Sequence, residues 1–159
     1  MNMRKIVISQ SKTLKLTNIL MLRCQLQEEE FHLSISVEQM NAYIRSKGAL
    51  QIGPLIQYTN TKINEDGKFD MDIRLMLQCN NYIHNVCQPY TMESVLRIPN
   101  CMYCRYIGPE DKLNFAYQKI QLEAFENDIP LKGDSYTIFV DQDEENETIT
   151  ADVFMERAD

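Results

Sequence analysis

The feature that most constrains the fold is an apolar stripe of helical spacing, set between two strand-like segments in residues 108–140. Its members recur at i, i+3, i+4, i+7 and i+11, as one buried helix face does: Leu113, Ala116, Tyr117, Ile120 and Ala124. Pro109, ahead of the stripe, is favoured at a first helical position, where its missing N–H costs nothing. Residues 135–141, after it, are rich in aromatic and β-branched side chains, which is typical of a strand. The sequence therefore predicts a strand–helix–strand unit whose helix opens at Pro109.

The first half of the chain carries a similar order of elements. Residues 15–27 alternate between apolar and polar side chains, which predicts a strand. Ser36 has a glutamine three residues later, and this capping-box spacing predicts a helix that begins at Ser36. Gly53-Pro54 is expected to break the chain before a strand at residues 55–61, because proline lacks the N–H that a strand ladder uses.

Turn chemistry and alternation predict the elements that follow. Asp66-Gly67 favours a hairpin turn, since glycine supplies the positive φ that such a turn needs. A strand is predicted at residues 69–79, and residues 80–90 fit either a loop or a short helix. A further strand at residues 94–106 is expected to be interrupted near Pro99-Asn100.

The closing segment carries five carboxylates in residues 141–147, the mark of a solvated hairpin tip, and then a strand at residues 148–155. The order strand–helix–strand–strand thus occurs twice, at about residues 15–79 and 93–155. We predict an α+β fold in which residues 1–159 form one domain of two such repeats. A central cleft between the open faces of the repeats is the expected ligand or peptide site, because pockets favour interfaces between packed units.

Composition narrows the classes of function. The net charge is −7 and no cluster of basic residues occurs, which argues against nucleic acid as a partner. No apolar run approaches the ~20 residues of a membrane helix, so membrane insertion is not expected. Five cysteines, an odd number, without a secretory signal predict reduced thiols and a cytoplasmic protein.

Several segments of the second half resemble the GyrI-like effector-binding superfamily, which is related in fold to the SOUL haem-binding domains. They are residues 101–109 (Cys-Met-Tyr-Cys-Arg-Tyr-Ile-Gly-Pro), Leu113, Ala116-Tyr117 and Ile120, Gly133-Asp134-Ser135-Tyr136, and Asp152-Val153-Phe154. The resemblance covers residues 102–155, whereas the first half supports it only by the order of its elements. It implies a domain that binds small cationic or aromatic ligands in a cleft between two repeats, often as the sensor half of a transcription factor. Some members of the superfamily are hydrolases, but this chain has no tryptophan and no paired carboxylates on one predicted strand face to serve as acid and base, so enzyme activity is not expected.

The chain departs from that family in two respects. The glutamate with which the family reads cationic ligands corresponds to Thr137, and threonine cannot supply the buried negative charge. About a dozen residues precede the first predicted strand, too few for a helix-turn-helix. In its acidity and length the chain is similar to a Gram-positive subgroup found beside type VII secretion genes. That resemblance implies a cytosolic adaptor or chaperone that binds a secreted toxin or another secretion component; the alternative is a small-molecule binding domain.

The candidate ligand or partner site is drawn from the predicted strands: Tyr58, Tyr103, Arg105 at the rim, Tyr136 and Thr137. No catalytic set, cofactor or metal site is expected. The Cys101-x-x-Cys104 pair is better explained as small buried side chains of a strand than as a zinc or redox motif. His32 and His84 have no metal or nucleophile spacing, and both are expected in loops.

Overall fold

A computed structural model of the chain describes residues 5–24 and 33–159. These form antiparallel strands and two α-helices, which confirms the α+β class. The elements are β1 (Ile8–Cys24), α1 (Leu33–Ser46), β2 (Gln51–Ile63), β3 (Phe69–Cys79), β4 (Tyr90–Pro109), a 3-10 turn (Glu110–Lys112), α2 (Asn114–Glu126), β5 (Asp134–Asp143) and β6 (Thr148–Glu156). The three glutamates at residues 28–30, which the sequence predicts to form a solvated acidic turn, lie outside the described residues, as does His32.

The chain divides into two compact units. Unit A comprises Met1–Leu14 and Ile98–Asp159, and unit B comprises Lys15–Arg97. Strands β1 and β4 therefore contribute residues to both units. No helix among residues 5–24 and 33–159 is long and apolar enough to cross a membrane.

In unit B, β3 pairs antiparallel with both β1 and β2. Helix α1 buries Met40 and Ile44 against the strand face that carries Leu75 and Leu77. The other members of this core are Leu20, Cys24, Ala49, Cys79 and Ile83. Such a core forms because alternate residues of each strand point to the same face, where the helix excludes water.

In unit A, β6 pairs antiparallel with both β4 and β5. Helix α2 buries Ala116, Ile120 and Ala124, with Leu113 and Tyr117 beside them, so the predicted stripe is the buried face. Its partners on the strands are Met102, Cys104, Tyr106, Ile149, Ala151, Val153 and Met155. The candidate site lies on the opposite face of strands β4, β5 and β6.

Several local predictions are confirmed. Strand β3 has the predicted bounds, and the turn before it is closed by the Gly67 N–H, which donates to the Asn64 carbonyl at 3.0 Å. Residues 80–89 are a loop, one of the two alternatives left open, and Tyr90 already belongs to β4. The acidic tip joins β5 to β6 as a turn over residues 144–147. The elements follow one another in the order strand, helix, strand, strand in each half of the chain.

Two predicted helix starts were wrong. Helix α1 already includes Leu33, so Ser36 lies within it rather than capping it. A cap contributes only about 1 kcal/mol, which a further turn of helix can outweigh. Pro109 ends β4 with φ −61° and ψ 140°, and α2 begins five residues later, after the 3-10 turn. The φ imposed by proline suits an extended residue as well as a helical one, so the sequence could not separate the two.

Two predicted breaks and one strand start were also wrong. Strand β2 runs through Gly53-Pro54, because the pairing with β3 shifts between Ile52 and Ile56 and absorbs the proline in a bulge. Gly53 has φ +79°, a conformation open to glycine at little cost. Strand β4 is continuous past Pro99-Asn100, and β1 begins at Ile8, before the predicted residue 15.

Candidate functional site

An aromatic row crosses the face of unit A that is turned away from α2. Tyr136 of β5 pairs with Phe154 of β6, and Phe154 pairs in turn with Tyr103 of β4. The rings of Tyr103 and Phe154 have their centroids 4.8 Å apart. Directly paired residues share a face of the sheet. The structure thus brings Tyr103 and Tyr136, two of the predicted site residues, onto one surface.

The next row on the same face carries charge. Arg105 of β4 pairs with Asp152 of β6, and its guanidinium donates from Nε to Oδ1 at 2.8 Å and from Nη2 to Oδ2 at 3.0 Å. The Tyr103 hydroxyl donates to the same Oδ1 at 2.8 Å. One carboxylate therefore orients both predicted side chains. Asp152 is 14% exposed and Arg105 is 51% exposed. The carboxylate of this ion pair is therefore largely buried, whereas the guanidinium is accessible to solvent.

Proton affinities follow from these contacts. Burial alone would raise the pKa of Asp152, but the hydrogen bonds from Arg105 and Tyr103 outweigh it and lower the pKa. Burial, aided by the neighbouring Asp152 carboxylate, raises the pKa of Tyr103 to about 12. At neutral pH the site accordingly holds an ionised aspartate, a charged arginine and a protonated tyrosine.

A pocket of about 410 Å³ opens beside this network. Its lining is Lys5, Val7, Ile8, Ser9, Tyr103, Arg105 and Ile107, so the N-terminal segment forms one wall and β4 the other. The Lys12 ammonium lies over the Tyr103 ring, 3.8 Å from its centroid. This volume is within the range of small-molecule sites. The pocket contains two of the five predicted site residues.

Asp152→Asn is expected to lower the free energy of unfolding by about 1–3 kcal/mol at pH 7, since hydrogen bonds to a charged group are lost. The pKa of Asp152 is depressed in the folded chain, so its contribution is present above the unfolded pKa of about 3.9 and is lost as pH falls through the folded value. Urea unfolding of both proteins over a pH series from 7 down to about 2 measures this. A difference that persisted undiminished in acid would contradict the ionic origin.

Thr137 does not lie with the other site residues. It pairs with Val153, which belongs to the core under α2, and it is only 2% exposed. Its hydroxyl is hydrogen-bonded to the hydroxyl of Tyr117 on α2. Tyr136 and Thr137 are neighbours in a strand, so they point to opposite faces. Thr137 therefore faces the helix, on the other side of the sheet from Tyr103 and Arg105.

Tyr58, the fifth predicted residue, belongs to unit B. It pairs with Arg74 of β3, whose guanidinium carbon is 5.6 Å from the Tyr58 ring centroid. Arg74 donates to Asp72 at 2.9 Å, and Arg23 of β1 lies 3.5 Å from the same carboxylate. Each unit thus has a tyrosine, an arginine and an aspartate on the strand face away from its helix. In each, an arginine of the first strand meets an aspartate of the last.

Sequence reasoning missed Asp152, Phe154 and Lys5. The first two had a usable signal, because they alternate along β6 with an unbroken row of apolar residues at 149, 151, 153 and 155. A strand with one buried face must turn the intervening residues to the other. Lys5 had none, because nothing local indicated that the N-terminal segment forms a pocket wall with β4.

The cysteine and histidine predictions fall outside the site. Cys101 and Cys104 are fully buried free thiols, and burial raises their pKa values to about 11 and about 12. Thiols held protonated in this way are poor nucleophiles and metal ligands. His84 lies in the loop after β3, as predicted. Within residues 5–24 and 33–159, no group of three or more His, Cys, Asp or Glu side chains could hold a metal ion.

Neither a protein family nor a curated protein matches the sequence, but solved structures match the fold. A hydrolase encoded by lin2189 from Listeria innocua is 8% identical and covers 94% of this chain and 92% of its own, with a TM-score of 0.63. An uncharacterised conserved protein from Listeria innocua has the same identity and coverage and a TM-score of 0.65. The C-terminal domain of EcmrR is 14% identical and covers 93% of this chain and 96% of its own, with a TM-score of 0.61. The chain shares the fold of these proteins.

Proposed function

We propose that this chain is a non-enzymatic ligand-binding domain of the GyrI-like type and that the pocket of unit A takes a small molecule. The observation that carries the proposal is the pocket itself. It joins an aliphatic wall of Val7, Ile8 and Ile107 to two oriented polar side chains, Tyr103 and Arg105. Small-molecule sites combine an apolar lining with a few well-placed polar groups in this way.

The two-repeat organisation and the single domain of residues 1–159 belong to the same proposal. The support is the shared order of elements and the arginine–aspartate contact between the first and last strands of each half: Arg23 with Asp72, and Arg105 with Asp152. The cleft expected between the repeats, with Tyr58 among its lining residues, stays a prediction, whereas Thr137 faces the core under α2.

Binding without catalysis is the better proposal although two neighbours in fold are hydrolases from Listeria innocua. A shared fold does not carry an activity with it. The pocket lining contains neither an imidazole nor a carboxylate, the usual general bases for activating Ser9 or a water. Asp152, the nearby carboxylate, is occupied by Arg105 and Tyr103. EcmrR is known bound to DNA as a whole protein, but the charge of −7 does not favour such a role for this chain.

The adaptor function is the second candidate, and an observation on α2 favours it. Phe115, Leu122 and Phe125 are 49%, 57% and 81% exposed and share the face of α2 that is turned away from the core. Exposed apolar groups of this kind often mark a protein interface. On this proposal a cytoplasmic chaperone of a type VII secretion system would present α2 to its secreted toxin. Recovery of such a toxin from its native cell by the wild-type chain, and not by Phe125→Ser, would favour it.

The ligand-binding proposal is tested by NMR with a library of small molecules of positive, negative and zero charge. We expect some compounds to shift the backbone amides of Ser9, Tyr103 and Ile107 in the wild-type chain. Val7→Trp should abolish those shifts, because the larger ring fills the pocket. It should not disturb folding, since Val7 is 72% exposed.

Val95→Trp is the matched control, because Val95 is 52% exposed and lies outside the pocket lining. This variant should bind as the wild type does. If no compound moved the pocket amides, or if Val7→Trp bound every compound unchanged, the pocket would not be the site.

A further inference from the structure

The charge of the pocket is opposite to that of the chain. The whole sequence has 23 acidic and 16 basic residues, but the pocket lining has Lys5 and Arg105 and no carboxylate. Lys12 adds a third positive charge beside it, over the Tyr103 ring. Local charge, more than net charge, decides which ligand a pocket attracts, because distant charges are screened.

The nearby carboxylate cannot serve as a counter-charge for a cationic ligand. Asp152 already accepts three hydrogen bonds, two from Arg105 and one from Tyr103. Its charge largely cancels that of Arg105, which leaves Lys5 and Lys12 to set the sign of the potential. An organic cation in this pocket would be desolvated next to like charges with no partner, which is costly.

An anion meets the reverse situation. A guanidinium has five N–H groups, and Asp152 uses only two of those of Arg105, so other N–H groups remain for a ligand. Asp152 also fixes the plane of the fork, so less ordering is required when an anion binds. Lys5 lines the same pocket. A carboxylate or phosphate therefore finds two cationic donors, while the aliphatic wall accommodates a short hydrocarbon portion.

We propose that the pocket of unit A binds an anionic amphiphile, with a carboxylate or phosphate held by Lys5 and Arg105 and an aliphatic portion against Val7, Ile8 and Ile107. This inference rests on the proposed ligand-binding function and names the class of its ligand. It replaces the cationic ligand that the family resemblance implied. It is also consistent with the threonine at position 137, because a pocket for anions needs no glutamate.

The test compares four probes with one alkyl chain: hexanoate, hexyl phosphate, hexanamide and hexylammonium. We expect hexanoate or hexyl phosphate to bind at least about tenfold more tightly than the amide or the amine, since a charge-assisted hydrogen bond contributes about 1.4 kcal/mol or more. The stronger of the two anions identifies the head group. Binding should weaken as salt is raised, because Arg105 is half exposed.

Variants assign the effect to the pocket. Lys5→Gln should weaken the preferred anion about tenfold, whereas Lys68→Gln, the same change in an exposed turn of unit B, should not. Arg105→Lys keeps the charge but loses the fork, and it should weaken the anion without unfolding the chain. If hexylammonium bound as tightly as the anions, or Lys5→Gln had no more effect than Lys68→Gln, the anion assignment would be wrong while the ligand-binding function stood. If none of the four bound, the assignment would again be wrong, and the library screen would decide the function separately.

Discussion

Thr137→Glu is expected to destabilise the chain by about 3–5 kcal/mol at neutral pH, the cost of an unpaired buried charge. Thr137 is 2% exposed, and its hydroxyl bonds to Tyr117 beneath α2. The family resemblance places a ligand-reading glutamate at this position. Here the new carboxylate would face a helix core instead of a ligand, so the substitution should damage folding and create no site for cations.

The pH dependence separates charge from crowding. Burial raises the pKa of the new carboxyl above its unfolded value of about 4.3, so the deficit should be smallest in acid and should grow as pH rises. Glutamine has nearly the shape of glutamate but no charge. Thr137→Gln should therefore lower the free energy of unfolding by less than Thr137→Glu, and by an amount that does not grow with pH. Urea unfolding at pH 5 and pH 8 measures both. A Thr137→Glu protein as stable as the wild type that bound a lipophilic cation would place Thr137 in a ligand site after all.

Ile120→Ala and Leu77→Ala should each lower the free energy of unfolding by about 2–5 kcal/mol, from lost apolar burial and the cavity left behind. Both side chains are fully buried, one in the core of unit A and the other in that of unit B. The boundaries between the units fall within strands β1 and β4, so the chain passes from one unit to the other along a strand and not through a linker. We therefore expect one cooperative transition, which both variants shift to lower urea.

Leu122→Ala is the control for Ile120→Ala, since Leu122 is on the same helix but 57% exposed. Its effect should stay within about 0.5 kcal/mol. Circular dichroism follows the secondary structure, and tyrosine fluorescence follows the surroundings of the tyrosine side chains in both units. Two separate transitions, with each variant moving only its own, would show that residues 1–159 are two domains and that the single-domain prediction is wrong.

Periodicity predicted the elements well where one face is buried by a helix. The bounds of β3 and the stripe of α2 were readable because every second or every third and fourth residue is apolar. The breaks at Gly53-Pro54 and Pro99-Asn100 were misjudged for one reason. Proline is excluded from a regular ladder but not from a bulge or an unpaired strand position, and pairing partners decide which of these applies.

The candidate site was predictable in part. Tyr103 and Arg105 were predicted to line it, and the structure places both beside one pocket. Choosing both Tyr136 and Thr137 was inconsistent with the period of a strand, which puts neighbours on opposite faces. The sequence does not indicate which face of β5 is covered by α2. In the structure α2 covers the face that carries Thr137, so Thr137 is buried in the core. Lys5 reaches the site by long-range packing, which no local pattern encodes.

The cysteines described above make the chain convenient for site-specific labelling. Cys87 is exposed, whereas the other four cysteines are buried. Burial raises the pKa of each of these four thiols, so they hold their protons more tightly than a free thiol does. A thiol-reactive dye at neutral pH should therefore modify Cys87 rapidly and the native protein only once. Slow incorporation of a second dye would time the opening of a core, because a buried thiol reacts only when its surroundings separate. The sequence thus provides one site for attachment of a fluorescent dye and buried thiols whose reaction rate reports on unfolding.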